Sequence, residues 1–285
     1  MLKLQILTLL ILVCFDFTIL GSDSEGWENC QATIFVTRHG QTDKTKYYDP
    51  AATPGSKSHD PILTPLGREQ ALLLGQHLKS IGFKGRIYAS PYKRTLETAS
   101  IVAKVLDSNV YILSEIHEYV RNEEKKKFEA LTIEEIRKRY PMIARDATLE
   151  NPWLCDVEKD VDVEARVKCA MKKTLHVGVN ESVLYITHAG IVTAFYKVMK
   201  RLDNNNTMSE KIPYNCTLSI YKLSRGKCEI VEVCDQSFLP DKKVTYNAMT
   251  LTQVQAGLNG EKKLKGLIKE FKPIRKDKGV QSSGN

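Results

Sequence analysis

The chain has 285 residues, of which 42% are hydrophobic and 27% are charged, and its formal net charge is +8. This mixture is typical of a globular protein and excludes a disordered, a collagen-like and a multi-span membrane protein. Residues 261–278 contain eight lysines and arginines against three acidic residues. Because that short segment carries most of the excess charge, the composition does not indicate a nucleic-acid-binding protein, although an anionic small ligand remains compatible with it.

The N-terminus has the pattern of a targeting segment. Lys3 precedes a mostly apolar run over residues 4–20, and small and polar residues follow from Gly21 onward. This order is typical of a secretory signal peptide, here residues 1–21, and predicts a secreted protein with no stable membrane span. The alternative is an uncleaved anchor that holds a lumenal protein at the membrane, but the run is short for a bilayer and Asp16 interrupts it.

Cysteines and glycosylation sequons also favour export. Removal of the signal would leave six cysteines, an even number that suits disulfides in an oxidising compartment: Cys30, Cys155, Cys169, Cys216, Cys228 and Cys234. None lies in a metal-ligand spacing, so we expect no metal site. Three sequons begin at Asn180, Asn205 and Asn215. The sequence thus predicts a disulfide-bonded glycoprotein, and the hairpin described next predicts a pair between Cys216 and Cys234.

The predicted elements alternate between strands and helices along the chain. Apolar runs predict strands at residues 32–38, 86–89, 110–113 and 182–187, and a closing hairpin at residues 217–223 and 229–233. Helical spacing predicts helices at residues 65–81, 91–106, 132–140, 163–174 and 189–199. This order favours an α/β fold, a three-layer sandwich with a mainly parallel central sheet flanked by helices. We assign one domain to residues 30–250 and a basic tail to residues 255–285. The tail is expected to be solvated, with a phosphate or membrane-surface contact as the alternative.

Two of the predicted strands end in histidine, at Arg38-His39-Gly40 and at Thr187-His188. The carboxyl ends of parallel strands lie at one edge of a sheet, where ligands usually bind. Arg94 falls in the first turn of the helix that follows the second strand, where the helix dipole favours an anion. Two guanidinium groups and two imidazoles at one edge suit a phosphoryl group, because guanidinium matches its oxygens in pairs and stays charged.

Five motifs together indicate a family. They are Arg-His-Gly at residues 38–40, LTPLGREQA at 63–71, SPYKRTLETA at 90–99, Ile116-x-Glu118, and Thr-His-Ala-Gly at 187–190. With these motifs the chain resembles the histidine phosphatase superfamily, in its phosphoglycerate-mutase-like branch. The resemblance implies that His39 attacks phosphorus without a metal or cofactor. It implies that Arg38, Arg94 and His188 hold the phosphoryl oxygens, with Thr42 as a further substrate-binding residue. Glu118 would protonate the leaving oxygen and activate water, and Glu115 is the alternative acid.

Departures from the family pattern narrow the range of functions that the resemblance implies. Residues 41–45 lack the tryptophan and asparagine of the mutases, and Ala189 stands where acid phosphatases and phytases have an aspartate. Residues 60–64 and 212–216 resemble the Sts-type tyrosine phosphatases and the ecdysteroid-phosphate phosphatases. The sequence therefore predicts a secreted phosphomonoesterase for a phosphorylated small molecule or a phosphotyrosine-like substrate. The alternatives are a phosphoglycerate-type mutase and a catalytically silent binding protein on the same fold.

Overall fold

A six-stranded sheet forms the centre of the computed structural model, which describes residues 26–42, 60–118, 131–145, 163–203, 205, 208–246 and 249–250. Its strands are β1 (Gln31–Arg38), β2 (Arg86–Ala89), β3 (Val110–Ile112), β4 (Asn180–Thr187), β5 (Leu218–Ser224) and β6 (Lys227–Asp235). They lie in the order β3-β2-β4-β1-β5-β6. The first four run parallel, and β5 and β6 add an antiparallel pair beside β1. A mainly parallel sheet is confirmed.

Helices cover both faces of this sheet. They are α1 (Pro65–Ser80), α2 (Lys93–Leu106), α3 (Ile133–Arg139), α4 (Val163–Thr174) and α5 (Ala189–Lys200). Apolar residues of α1, α2 and α3 form one core cluster with the sheet, and those of α4 and α5 form the other. The predicted three-layer sandwich is therefore confirmed. A short pair, β7 (Thr245–Tyr246) and β8 (Met249–Thr250), has no counterpart among the predicted elements.

The central strands bury side chains on both faces, which explains their unbroken apolar runs. In β1, Ile34 and Val36 pack on the side of α4 and α5, whereas Phe35 packs on the side of α1 and α2. This alternation is the period of two that a pleated strand imposes. It also explains why parallel strands covered by helices read as continuous hydrophobic segments rather than as alternating ones.

Local signals set the helix starts. Thr64 caps α1, its hydroxyl accepting a hydrogen bond from the backbone of Gly67, and Pro65 occupies the first helical position as the sequence predicted. Helix α2 begins at Lys93, two residues later than predicted, because Tyr92 has an extended backbone with φ −68° and ψ 143°. This shift matters for the site, since it makes Lys93 the first helical residue, whose N–H takes its partner from outside the helix.

The predicted disulfide between Cys216 and Cys234 is wrong. Cys216 belongs to the core cluster on the α1 and α2 side of the sheet, and Cys234 belongs to the opposite cluster. The register between β5 and β6 shifts between Leu218 and Tyr221. As a result Cys234 lies against Ser219, whose hydroxyl accepts its backbone N–H at 2.9 Å. Both cysteines are free thiols, and so are Cys169 and Cys228.

Several predictions fall outside the described residues: the signal peptide at residues 1–21, the basic tail at 255–285 and Cys155. Among the helices that the structure does describe, none combines the length and apolar character that a membrane crossing requires.

Candidate active site

Parallel pairing of β1 and β4 brings the two histidines together. Arg38 is the register partner of Thr187, and the backbone N–H of His39 donates to the carbonyl of Thr187 at 2.9 Å. The next residue along each strand is then a histidine, and the ring centroids of His39 and His188 are 5.4 Å apart. The two strand ends therefore build one site, as the topology of a parallel sheet requires.

The tautomer of His39 follows from its neighbour. Nδ1 lies 2.7 Å from the carbonyl oxygen of Gly40. A carbonyl oxygen only accepts hydrogen bonds, so Nδ1 carries the proton and Nε2 carries the lone pair. His39 thus presents a nucleophilic nitrogen on the side of its ring away from the backbone.

Side chains from three other parts of the chain hold the backbone on either side of this nucleophile. The bonds are from Asn215 Nδ2 to the His39 carbonyl at 3.0 Å, from the Gly40 N–H to Thr98 Oγ1 at 3.1 Å, and from the Gln41 N–H to Gln70 Oε1 at 2.8 Å. Thr245 closes the network, donating to Asn215 and accepting from Gln70. These groups are buried, and a satisfied buried polar network fixes one conformation. The turn that carries the nucleophile is rigid for that reason.

Glycine is required at this turn by the closeness of a second backbone segment. A β-carbon on Gly40 would lie 2.4 Å from the carbonyl oxygen of Gly67, and one on Gly67 would lie 2.2 Å from the carbonyl oxygen of Gln41. The start of α1 thus touches the backbone of the nucleophile turn, with no room for a side chain between them.

Arg94 is held from three sides. Its Nη1 donates to Asp60 Oδ1 at 3.1 Å, its Nη2 lies 3.2 Å from His188 Nδ1, and its guanidinium stacks on the ring of Tyr92 at 4.4 Å. Asp60 also accepts the N–H of Lys93 at 2.7 Å, so its carboxylate satisfies the N-terminus of α2. Burial raises the pKa of Asp60, and the charge of Arg94 and the N–H of Lys93 offset part of that rise. The arginine is thereby oriented before any ligand arrives.

His188 is a neutral imidazole with a defined tautomer. The guanidinium of Arg94 can only donate, so Nδ1 of His188 accepts, and Nε2 donates to Ser90 Oγ at 2.8 Å. Complete burial, together with the charge of Arg94, lowers the pKa of His188 well below its ordinary value. The side chain is therefore uncharged near pH 7 in the free protein.

Arg38 completes the positive side of the site. Its Nη1 donates to the carbonyl of Pro213 at 3.0 Å, and its guanidinium lies 4.6 Å from the centre of the Tyr246 ring. Burial lowers the pKa of Arg38 from its ordinary value, although the group stays charged. A dianion between Arg38 and Arg94 would offset the cost of burying these two charges.

Glu118 lies on the solvent side of the histidine pair. It follows a short 3₁₀ helix (Ser114–Ile116), and its Oε2 is 3.7 Å from Nδ1 of His188, with 30% of its side chain exposed. Glu115 instead forms an ion pair with Lys173 of α4. Of the two candidate acids, the structure places Glu118 beside the histidines and Glu115 away from them.

Thr42, the remaining predicted site residue, lies three residues after His39 in the chain, and its role in substrate binding stays a prediction. Its backbone forms an isolated bridge with Leu63, and within the described part of the chain its side chain makes no hydrogen bond. No group of three or more His, Cys, Asp or Glu side chains in the described ranges is arranged to hold a metal ion.

Three residues that support the cluster could not be predicted from the sequence: Asp60, Ser90 and Asn215. Asp60 and Ser90 lie inside quoted motifs, but only the folded chain shows that they bind Arg94 and His188. Asn215 was interpreted as a glycosylation site. It is fully buried, and its Nδ2, the atom a glycan would occupy, donates to the His39 carbonyl. That sequon is excluded in the folded protein, whereas Asn180 and Asn205 are exposed.

Comparison with known proteins identifies the family. Residues 34–236 match the histidine phosphatase superfamily (branch 1). The chain belongs to this superfamily. The match includes both strand-end histidines and both arginines of the cluster.

Individual relatives match a much shorter part of the chain than the family as a whole does. The chain is 42% identical over 74 residues to the serine/threonine-protein phosphatase PGAM5, mitochondrial, of Xenopus tropicalis, an alignment of 26% of this chain and 23% of that protein. The human protein of the same name is 42% identical over 74 residues, covering 26% of this chain and 22% of its own. The matched segment thus spans about a quarter of these relatives.

Solved structures share the fold over 72–73% of this chain. The ecdysone phosphate phosphatase of Bombix mori, crystallised with tungstate, has a TM-score of 0.55 at 20% identity and covers 72% of this chain and 94% of its own. YhfR of Bacillus stearothermophilus has a TM-score of 0.50 at 25% identity, covering 73% of this chain and 100% of its own.

Proposed function

We propose that this chain is a phosphomonoesterase that works through a phosphohistidine on His39. The observation that carries the proposal is the lone pair on Nε2 of His39, held in a rigid turn beside two buried arginines and a neutral histidine. A nucleophile, a set of oxygen-binding groups and a nearby carboxyl group are the parts that phosphoryl transfer needs. Membership of the histidine phosphatase superfamily supports the same chemistry.

The reaction takes two steps. The lone pair of His39 Nε2 forms a bond to phosphorus while the bond to the leaving oxygen breaks, and protonated Glu118 gives its proton to that oxygen. The Glu118 carboxylate then takes a proton from water, whose oxygen attacks phosphorus and displaces His39 as inorganic phosphate forms. Arg38 and Arg94 stabilise the charge on the phosphoryl oxygens in both steps. His188 binds the third phosphoryl oxygen once its proton moves from Nε2 to Nδ1, with the Ser90 hydroxyl then donating to Nε2 and Arg94 turning from Nδ1 to the phosphoryl group.

The substrate class is a phosphate monoester, either a small molecule or a phosphotyrosine-like group. Two Arg forks and an imidazole recognise the phosphoryl group itself, whatever its leaving group. PGAM5 is named a serine/threonine-protein phosphatase, and it matches this chain in one short segment. Release of phosphate from phosphotyrosine, nucleotide, sugar and steroid phosphates, compared side by side, would define the preference.

We also infer that the protein is exported and needs no metal. Export is supported by the apolar run over residues 4–20 after Lys3. Expression of the full chain in a secretory cell, followed by N-terminal sequencing of the medium, should find a start near residue 22. Retention in the cytosol would contradict export, and activity lost on chelation would contradict metal independence.

The decisive experiment traps the intermediate. Wild-type protein incubated briefly with labelled substrate should carry phosphate that is acid-labile and alkali-stable, and His39→Ala should carry none and release no phosphate. Glu118→Gln should lose about 10²–10⁴-fold in kcat/KM, which reports the first step, on alkyl phosphates, whose leaving oxygen needs a proton, and much less on an activated aryl phosphate. Glu115→Gln is the matched control and should keep the wild-type rates. Full activity of His39→Ala would refute the proposal, and transfer of the phosphate to a second substrate instead of water would indicate a mutase.

A further inference from the structure

Side chains hold the backbone that leads to Glu118, through the 3₁₀ helix Ser114–Ile116 and the two residues after it. Four consecutive carbonyls, those of residues 115–118, each accept a hydrogen bond from a side chain. The donors are Arg166 Nη1 to the carbonyls of Glu115 at 3.1 Å and His117 at 2.8 Å, Thr187 Oγ1 to Ile116 at 2.6 Å, and His117 Nδ1 to Glu118 at 2.6 Å. Two of these four bonds come from one guanidinium nitrogen.

Arg166 lies on α4, and its guanidinium reaches the backbone of residues 115–117. The residue is buried, with 8% of its surface exposed. Its bonds go to the carbonyl of Glu115, the middle residue of the 3₁₀ turn, and to that of His117, the first residue after it, so they bracket the point where the chain leaves that turn. Hydrogen bonds from a charged donor are stronger than bonds between neutral groups. Arg166 is therefore a strong restraint on the path of the backbone leading to Glu118.

Glu118 depends on such a restraint more than the other members of the cluster do. Arg38, His39, Arg94 and His188 are nearly or fully buried among fixed partners, whereas 30% of the Glu118 side chain is exposed. A general acid has to stay within about 2.6–3.2 Å of the oxygen that it protonates. A displacement of about 1 Å can cost about 100-fold in rate.

We propose that Arg166 is a positioning residue for the general acid. It acts through the carbonyls of Glu115 and His117, which set the direction in which the backbone presents Glu118 beside His188. This inference rests on the proposed function, since it requires that Glu118 transfers a proton. It assigns Arg166 to proton transfer and not to binding of the phosphoryl group.

The test compares two substrates in matched variants. Arg166→Met should lower kcat/KM, which reports the phosphorylation of His39, about 10- to 100-fold on an alkyl phosphate and change it less than about 3-fold on p-nitrophenyl phosphate. Arg166→Lys keeps the charge but not the planar guanidinium, so it should recover part of the alkyl rate. Lys168→Met removes a charge from an exposed position of the same helix and should match the wild type on both substrates.

A double-mutant cycle separates positioning from general loss of structure. In a Glu118→Gln background no proton is donated, so Arg166→Met should add no further loss on the alkyl phosphate. Additive losses, or equal losses on both substrates, would overturn the inference, and Arg166→Lys provides the same comparison if the methionine variant does not fold. A wild-type protein that hydrolyses neither substrate would instead refute the proposed function.

Discussion

Substitution of Gly40 by alanine tests how tightly the nucleophile turn is built. The new methyl group would lie 2.4 Å from the carbonyl oxygen of Gly67 and 3.1 Å from its α-carbon. Non-bonded heavy atoms are stable at about 3.5–4.0 Å, so the two backbone segments have to separate by about 1 Å. Neither can give way cheaply, because the backbone N–H of Gly40 is bound to Thr98 and the first turn of α1 is capped by Thr64.

Moving the two backbone segments apart displaces His39, the residue before Gly40. Overpacking of this kind costs about 1–3 kcal/mol of unfolding free energy, and a nucleophile displaced by about 1 Å loses about 100-fold in kcat. Steady-state hydrolysis of p-nitrophenyl phosphate and a thermal melt would measure both effects. Gly26→Ala is the control, because nothing lies within 4 Å of its added β-carbon. A Gly40→Ala protein with wild-type kcat and unchanged melting temperature would refute the packing argument.

Three further predictions concern groups around the cluster. Asp60→Ala should lower kcat/KM about 10- to 100-fold on alkyl and aryl phosphates alike, because it removes the partner that orients Arg94 and leaves Glu118 unchanged. A loss restricted to alkyl phosphates would contradict this prediction. Burial lowers the pKa of His117 from 6.5 to about 4, and the charge of Arg166 adds to that effect. Below pH 6.5 the unfolded chain binds a proton on this residue that the folded protein does not bind, so the free energy of unfolding falls as the pH drops from 6.5 toward 4. Relative to His117→Gln, the wild type should lose about 3 kcal/mol over that interval in denaturant titrations, and a constant difference would contradict the assignment. Mass spectrometry of secreted protein should find Asn215 without a glycan, and a glycopeptide there in active protein would show that the buried contact to His39 does not form.

The sequence was sufficient for the parts of the fold that depend on local patterns. Apolar runs and the cap at Thr64 located the strands and the start of α1, because burial on both faces and capping leave a signal within a few residues. The two histidines could be placed at one edge because parallel strands have their carboxyl ends together. This placement does not depend on which strands are neighbours.

Contacts between distant segments could not be predicted in this way. Asp60 and Arg94 are 34 residues apart, and Asn215 and His39 are 176 residues apart. Nothing in the composition around Asp60 or Asn215 distinguishes a buried partner from an exposed loop residue. The error at Cys216 and Cys234 has a related cause, since the register shift within the β5–β6 hairpin moves a side chain to the opposite face without changing the apolar pattern.

The network around His39 has a consequence for the order of events during folding. Its members come from the start, the middle and the end of the domain: Gln70 and Thr98 from α1 and α2, and Asn215 and Thr245 from the last third of the chain. Contacts of such long sequence separation form late, because closing the intervening chain costs entropy before any bond is gained. A nascent or refolding molecule should therefore acquire its helices before it acquires a fixed nucleophile. Catalytic competence would then report completion of the C-terminal hairpin, and an intermediate without that hairpin would be compact but inert toward phosphate esters.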